Sequence, residues 1–148
     1  MMENLKMFFS IQLQFIDTAV LILRLFIGIC FVVHGMGKLG LVGTGSMAGF
    51  VSWLKSLNIP YPEVQARMAM IAEIVGGVFI TLGLLHRPGC VLVFMTMVVA
   101  TVIGHKKAGY LITNNPPGNE YTVNLAATAV TLFLLGPGRY SLDFILFG

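Results

Sequence analysis

Four apolar runs, at about residues 19–37, 68–85, 89–104 and 123–136, constrain this chain more than any other feature. A helix rises about 1.5 Å per residue, so roughly 20 apolar residues cross about 30 Å of hydrocarbon. The first three runs match that requirement, and the fourth is short. Lipid offers no partner for an open backbone group, so only helices and closed barrels span a bilayer. The runs show no alternation of period two, which excludes a barrel and predicts helices. Composition agrees: the 148 residues are 57% hydrophobic and only 10% charged, with a mean hydropathy of +0.89. That is too apolar for a soluble domain of this size. The expected fold is all-α, an integral membrane four-helix bundle forming a single domain over residues 1–148.

Two further segments read as helices lying on the membrane surface. In 3–16, Leu5, Phe8, Phe9 and Ile16 share one face. In 46–57, Met47, Phe50, Trp53, Leu54 and Leu57 recur at helical spacing, and "NIPYP" then stops the helix because Pro60 and Pro62 disfavour helix before them. Trp53 and Tyr61 are expected at headgroup level. The first run carries Arg24 and lacks a small-residue cleavage site, so it is expected to remain as an anchor rather than be removed as a signal peptide. "LHRPG" is a short turn that forces its flanking helices to be antiparallel neighbours, whereas "GHKKAGYLITNNPPGNEY" is a longer, shaped loop. Cys30 and Cys90 form no CxxC pair and lie at different depths, so neither a disulfide nor a thiol relay is expected. The net charge of +3 is spread over loops and suits anionic lipid headgroups better than nucleic acid.

Alternation of four spans sorts the polar residues by membrane face. One side collects His34, Lys38, Arg67, Glu73, His105, Lys106, Lys107, Asn114, Asn115, Glu120, Tyr121 and Asn124. The other collects Arg24, His86, Arg87, Arg139 and Asp143. By depth along their helices, Arg24 and Glu73 are separated by roughly 12 Å and are poor candidates for a direct pair. Basic residues on the first side outnumber those opposite, so the positive-inside rule leans towards that side facing the cytoplasm.

In the second span, Ala69, Glu73, Gly76, Ile80 and Gly83 share a face whose small residues admit a neighbouring backbone, which turns Glu73 into the bundle. An unpaired ionised group at such depth costs about 2.5–3.5 kcal/mol, so Glu73 is expected to be paired, protonated or hydrated. His34 and Lys38, at i and i+4 on one face, are its nearest options. The cluster reads either as an ion pair that sets helix register or as a proton-exchanging site. The fourth run gives only about 21 Å of helix, which draws Glu120, Tyr121 and Asn124 towards the level of Glu73 and His105 and makes a polar pocket at one face. On the other side, Arg139 and Asp143 are spaced to pair at i, i+4, and Arg24 is expected to reach Asp143. No metal motif, phosphate loop, CxxCH or Ser/His/Asp arrangement stands out, so a metal site and nucleophilic hydrolysis are not expected.

The stretches "LRLFIGICFVVHGMGKL", "AEIVGGVFITLGLLHRPG" and "NLAATAVTLFLLGPGRYSLD" together resemble the DoxX family of small four-helix membrane proteins. Arg24 matches the arginine of helix one in that pattern, and His34, Gly35 and Lys38 match its HGxxK-like end. Glu73 matches the acid of helix two, and Gly136, Gly138, Arg139, Ser141 and Asp143 match its terminal motif. The resemblance implies a multi-pass protein of the bacterial inner membrane linked to oxidoreduction. Some relatives are subunits of thiosulfate:quinone oxidoreductases, and others are partners of soluble redox or detoxification enzymes. The leading expectation is a redox-associated subunit that binds a quinone headgroup or similar small ligand. Glu73 and His34 would exchange protons in it, and Lys38, His105, Glu120 and Asn124 would contact the ligand. Arg24, Arg139 and Asp143 would be structural. Electrons would come from a partner or bound cofactor. The alternatives are a non-catalytic anchor or assembly factor for a soluble enzyme and, third, a carrier of small solutes or protons. A homo-oligomer is compatible with each.

Overall fold

The computed structural model describes the backbone of residues 2–105 and 108–148, with side chains of Met7 and of residues from 15 onward within those ranges. α1 is Met2–Lys38, α2 Met47–Ser56, α3 Pro62–Leu82 and α4 His86–Val99, which continues into a π-helical turn, Ala100–Gly104. α5 is Glu120–Leu135 and α6 is the short Leu142–Phe147. There is no strand among the described residues.

Local chemistry accounts for the boundaries. The Ser46 hydroxyl accepts the Gly49 N–H at 3.1 Å and opens α2. Pro62 opens α3, where its missing N–H leaves no orphan donor. Gly83, at φ 63°, closes α3 in a left-handed cap, with its N–H bonded to Ile80 O and that of Leu84 to Phe79 O. The Ser141 hydroxyl opens α6 by accepting from Phe144 N.

Three helical stretches are long and apolar enough to cross a membrane: Phe15–Lys38, Pro62–Leu82 and His86–Gly104. The fourth apolar helix, Glu120–Leu135, is shorter at 16 residues, about 24 Å. The protein is therefore an all-helical membrane bundle. One expectation changes: the backbone of 3–16 is not a separate surface helix but runs unbroken into the first span, giving a single helix of 37 residues, about 55 Å long. No proline occurs in it and its first glycine is Gly28, so nothing interrupts the hydrogen-bond ladder. The faces of Leu5, Phe8 and Phe9 lie outside the described side chains, and Ile16 is exposed.

α1 packs along α3, α3 along α4 and α4 along α5, which returns more lightly to α1. The α1–α3 seam is close because neither backbone carries a side chain there: a Cβ on Gly77 would lie 2.6 Å from Gly28 O and 2.9 Å from Val32 N. Small residues substitute for hydrophobic burial in lipid, where dispersion contact between backbones does the packing. Val20, Phe31, Ile80, Cys90, Val93, Met97, Ala129 and Leu132 form the common core. Packing of this kind leaves the two ends of the bundle to the polar residues.

Candidate functional site

At the end of the bundle where α1 and α4 finish and α3 and α5 begin lies a cavity of about 370 Å³. Its polar end is built on Glu73, only 4% exposed, whose carboxylate accepts a hydrogen bond from the Lys38 ammonium in a direct ion pair. Lys38 also sits 5.0 Å from the centroid of the Phe50 ring, a cation–π contact that ties α1 to α2. His34, one turn before Lys38, donates from Nδ1 to Cys30 O at 2.9 Å, since a carbonyl oxygen can only accept. Its ring stacks on Tyr121 of α5, with centroids 6.1 Å apart and planes 22° from parallel. His105 follows the π-helical turn and donates from Nδ1 to Pro117 O at 2.8 Å, fastening the loop before α5.

The rest of the lining is apolar: Phe50, Trp53 and Leu54 from α2, Met68, Ala69 and Ala72 from α3, and Leu92, Met95, Val99 and Ile103 from α4 and its π turn. Met68 and Met95 are 63% and 53% exposed, and Val99 is also exposed, so the cavity is open where α3 and α4 face lipid.

The structure thus gathers His34, Lys38, Glu73 and His105 around one space. Glu120 is not in the lining; its carboxylate accepts from Ile112 N at 3.1 Å and braces the loop. Asn124 is exposed on α5, outside the lining, and its carbonyl accepts the Thr128 hydroxyl at 2.8 Å. Lys106 and Lys107 lie outside the described residues. Phe50 and Trp53 belong by sequence to a surface helix, with Trp53 at headgroup level, yet both line the cavity, and Trp53 packs against Gly104. The π turn itself has no sequence signal; such turns occur frequently at functional sites.

The opposite end is built differently. Arg24, 1% exposed, donates from Nε to Ile80 O, from one terminal nitrogen to Pro137 O and Tyr140 O, and from the other to Thr81 O, at 2.7–3.0 Å. The expected Arg24–Asp143 contact is replaced by this set. Asp143 accepts instead from Leu85 N at 2.8 Å and His86 N at 2.9 Å, capping α4 where the helix dipole favours an anion. Arg139 does not pair with Asp143 either. Its Nε lies 3.4 Å from Asp17, whose other oxygen accepts from Arg139 N at 3.0 Å. The two corrections have different reasons: α6 starts at Leu142, so Arg139 precedes the helix and the i, i+4 relation does not hold, whereas Arg24 and Asp143 are each taken up by main-chain partners. Cys30 and Cys90 are free thiols, and Cys90 lies 3.7 Å from the buried His86 ring. Among the described residues, no three His, Cys, Asp or Glu side chains are grouped to hold a metal ion.

The DoxX family model matches residues 19–106, which take in the described part of α1 from Ala19 onwards, α2, α3, α4 and the π turn. The chain belongs to the DoxX family. It is 31% identical over 127 residues to "Inner membrane protein YphA" of Escherichia coli, covering 83% of this chain and 86% of that protein. It is likewise 31% identical over 128 residues to "Putative oxidoreductase CatD" of Bacillus subtilis, covering 86% of each. No solved structure matches it. Three residues of the family-like pattern, His34, Lys38 and Glu73, line the cavity of this DoxX protein, and two others, Arg24 and Asp143, organise the opposite end.

Proposed function

We propose that this protein is a redox-associated component of the bacterial inner membrane whose cavity takes a quinone-type headgroup from the lipid phase. One observation carries the reading: the cavity is amphipathic and opens towards lipid. The Lys38–Glu73 ion pair and the rings of His34 and His105 are among its few polar groups, apolar walls fill the remainder, and exposed Met68 and Met95 border it. A headgroup attached to an apolar tail suits that arrangement, with its polar atoms towards Glu73 and its tail leaving between α3 and α4. Because Lys38 balances Glu73, the site favours an uncharged ligand over a small anion or cation. Glu73 and His34 are the groups suited to exchange protons there. The names of the two relatives, an inner membrane protein and an oxidoreductase, agree with this assignment. Electrons would pass to or from a partner protein or a bound cofactor.

Trp53 is the chain's single tryptophan and lines the cavity, so its fluorescence reports occupancy directly. Titration with a short-tailed quinone is expected to quench it, with affinity weakened about tenfold by Glu73→Gln and by His34→Ala. Unchanged affinity in both variants would defeat the site assignment.

A second reading has its own support. The loop before α5 exposes Tyr110, Leu111 and Ile112 at the cavity end of the bundle, a small apolar tip suited to recruiting a soluble redox or detoxification enzyme. Replacing residues 110–112 with serine is expected to abolish co-purification of such a partner while leaving Trp53 quenching intact. Loss of quenching with the partner retained would reverse the assignment.

A further inference from the structure

Lys38 is the last residue of α1, a place from which a lysine ordinarily extends its apolar stem outwards so that the ammonium reaches water. Here it turns inwards. The ammonium donates to one oxygen of Glu73, and the side chain is only 17% exposed. A single carboxylate contact holds so flexible a group near its partner but does not fix where its remaining N–H bonds point. A second contact adds that constraint: the nitrogen lies over the Phe50 ring, 5.0 Å from the centroid. An ammonium has three N–H donors and no acceptor, so the one given to Glu73 leaves two beside a cavity that Lys38, Phe50 and Glu73 all line.

Phe50 is itself held. Ser46, which caps α2, accepts the Phe50 N–H at 3.0 Å through its main-chain carbonyl. The Phe50 ring stacks on Trp53, with centroids 5.8 Å apart and planes 20° from parallel. Trp53 rests in turn on Gly104 of the π turn, so closely that a Cβ there would lie 2.9 Å from the indole. A series of contacts thus runs from the end of α4 through α2 to the Lys38–Glu73 pair. Leucine would serve equally well for apolar packing at position 50, but only an aromatic ring offers a negative face to a cation. Resting on the quinone-type reading above, we infer that Phe50 is a positioning residue: its ring face directs the Lys38 ammonium into the cavity, where the N–H groups not engaged by Glu73 receive a carbonyl oxygen of the ligand. A ligand of this site must therefore bring a hydrogen-bond acceptor to Lys38.

The test keeps the size of the ring and changes its face. Full-length protein in lipid nanodiscs carries phenylalanine or its monofluoro, difluoro or trifluoro derivative at position 50 alone, because each fluorine weakens the negative face with little change of volume. Two ligands of matched shape are compared. One is a short-tailed benzoquinone, read by Trp53 quenching; the other is an alkylbenzene with methyl groups in place of both carbonyl oxygens, read by its displacement of the quinone. Quinone affinity is expected to fall stepwise along the series, by about tenfold in all, while alkylbenzene affinity stays constant. A readout without ligand accompanies it: in protein carrying isotope-labelled lysine, NMR is expected to show slow exchange of the Lys38 ammonium protons with water, quickening along the same series. Quinone affinity that is flat across the series, alkylbenzene affinity that falls in parallel, or Lys38 exchange indifferent to fluorination each overturns the inference while leaving a quinone-type site in place. A quinone that fails to quench the unaltered protein overturns both. Phe50→Tyr, which keeps a ring face, is expected to retain quinone affinity where Phe50→Leu loses it, and equal affinities in the two overturn the inference; the fluorinated series decides the matter even where Phe50→Leu fails to fold.

Discussion

The two ends of the bundle each bury a charged side chain, and they treat it in opposite ways. At one end Arg24 is surrounded by main-chain carbonyls from the end of α3 and the segment between α5 and α6, and Asp143 is bonded to two N–H groups at the start of α4. Those partners are backbone atoms that cannot leave, so the end is a clasp joining three parts of the chain. At the other end Glu73 is matched by a single flexible side chain, Lys38, beside an open cavity that His34 and His105 also line. Burial of charge alone does not distinguish a structural site from a binding site; the completeness of its hydrogen bonding does.

The largest test of that contrast is Arg24→Met. It preserves apolar volume but takes the arginine donor from the Thr81, Pro137 and Tyr140 carbonyls, while Ile80 O keeps the Gly83 N–H, and is expected to cost about 3–5 kcal/mol, as breaking a buried network does. Loss of the protein from the membrane fraction, or a strongly lowered midpoint of unfolding in detergent, would register it. An Arg24→Met protein of normal stability that has lost ligand quenching would instead place function at the clasp. Next is the ion pair. Lys38→Met or Glu73→Gln alone is expected to destabilise the bundle, with the double variant recovering part of the loss and a coupling of about 1–3 kcal/mol in a thermal-unfolding cycle. Additive effects would mean that the pair does not act as a unit. Asp143→Asn keeps one accepting oxygen at the start of α4 but turns an amide NH2 against the second N–H and removes the charge, and is expected to lower stability by about 1–2 kcal/mol on the same assay. Smallest is Lys55→Ala. Its partner Glu63 lies at 2.7 Å but both side chains are more than half exposed, so the change in stability is expected to stay within about 0.5 kcal/mol.

The sequence made some of this contrast legible. Alternation of the spans is enough to send Lys38, His34, Glu73 and His105 to one end and Arg24, Arg139 and Asp143 to the other, because helix direction follows from run length and turn length alone. It does not reveal which atoms meet. Glu120 sits beside the site in sequence terms, yet the backbone of the loop folds so that Ile112 N reaches its carboxylate first. Arg139 and Asp143 have helical spacing, but the helix begins only after Arg139, and Asp17, far away in sequence, takes the arginine. Phe50 and Trp53 have the periodicity of a surface helix; only the way α2 folds back against Lys38 and Gly104 makes them a cavity wall.

What the sequence determined by itself is the solvent and the scaffold: runs of apolar residues too long and too continuous for water, helices because lipid leaves no other way to satisfy the backbone, and close seams where glycines recur. What only the tertiary structure decided is the state of each polar group. Whether Arg24 is clasped by carbonyls, whether Glu73 keeps one oxygen free, and which nitrogen of His34 and His105 carries the proton all depend on which backbone atoms lie within about 3 Å. A hydrogen bond of that reach is set by the packing of whole helices against one another, and no local spacing in the chain encodes it.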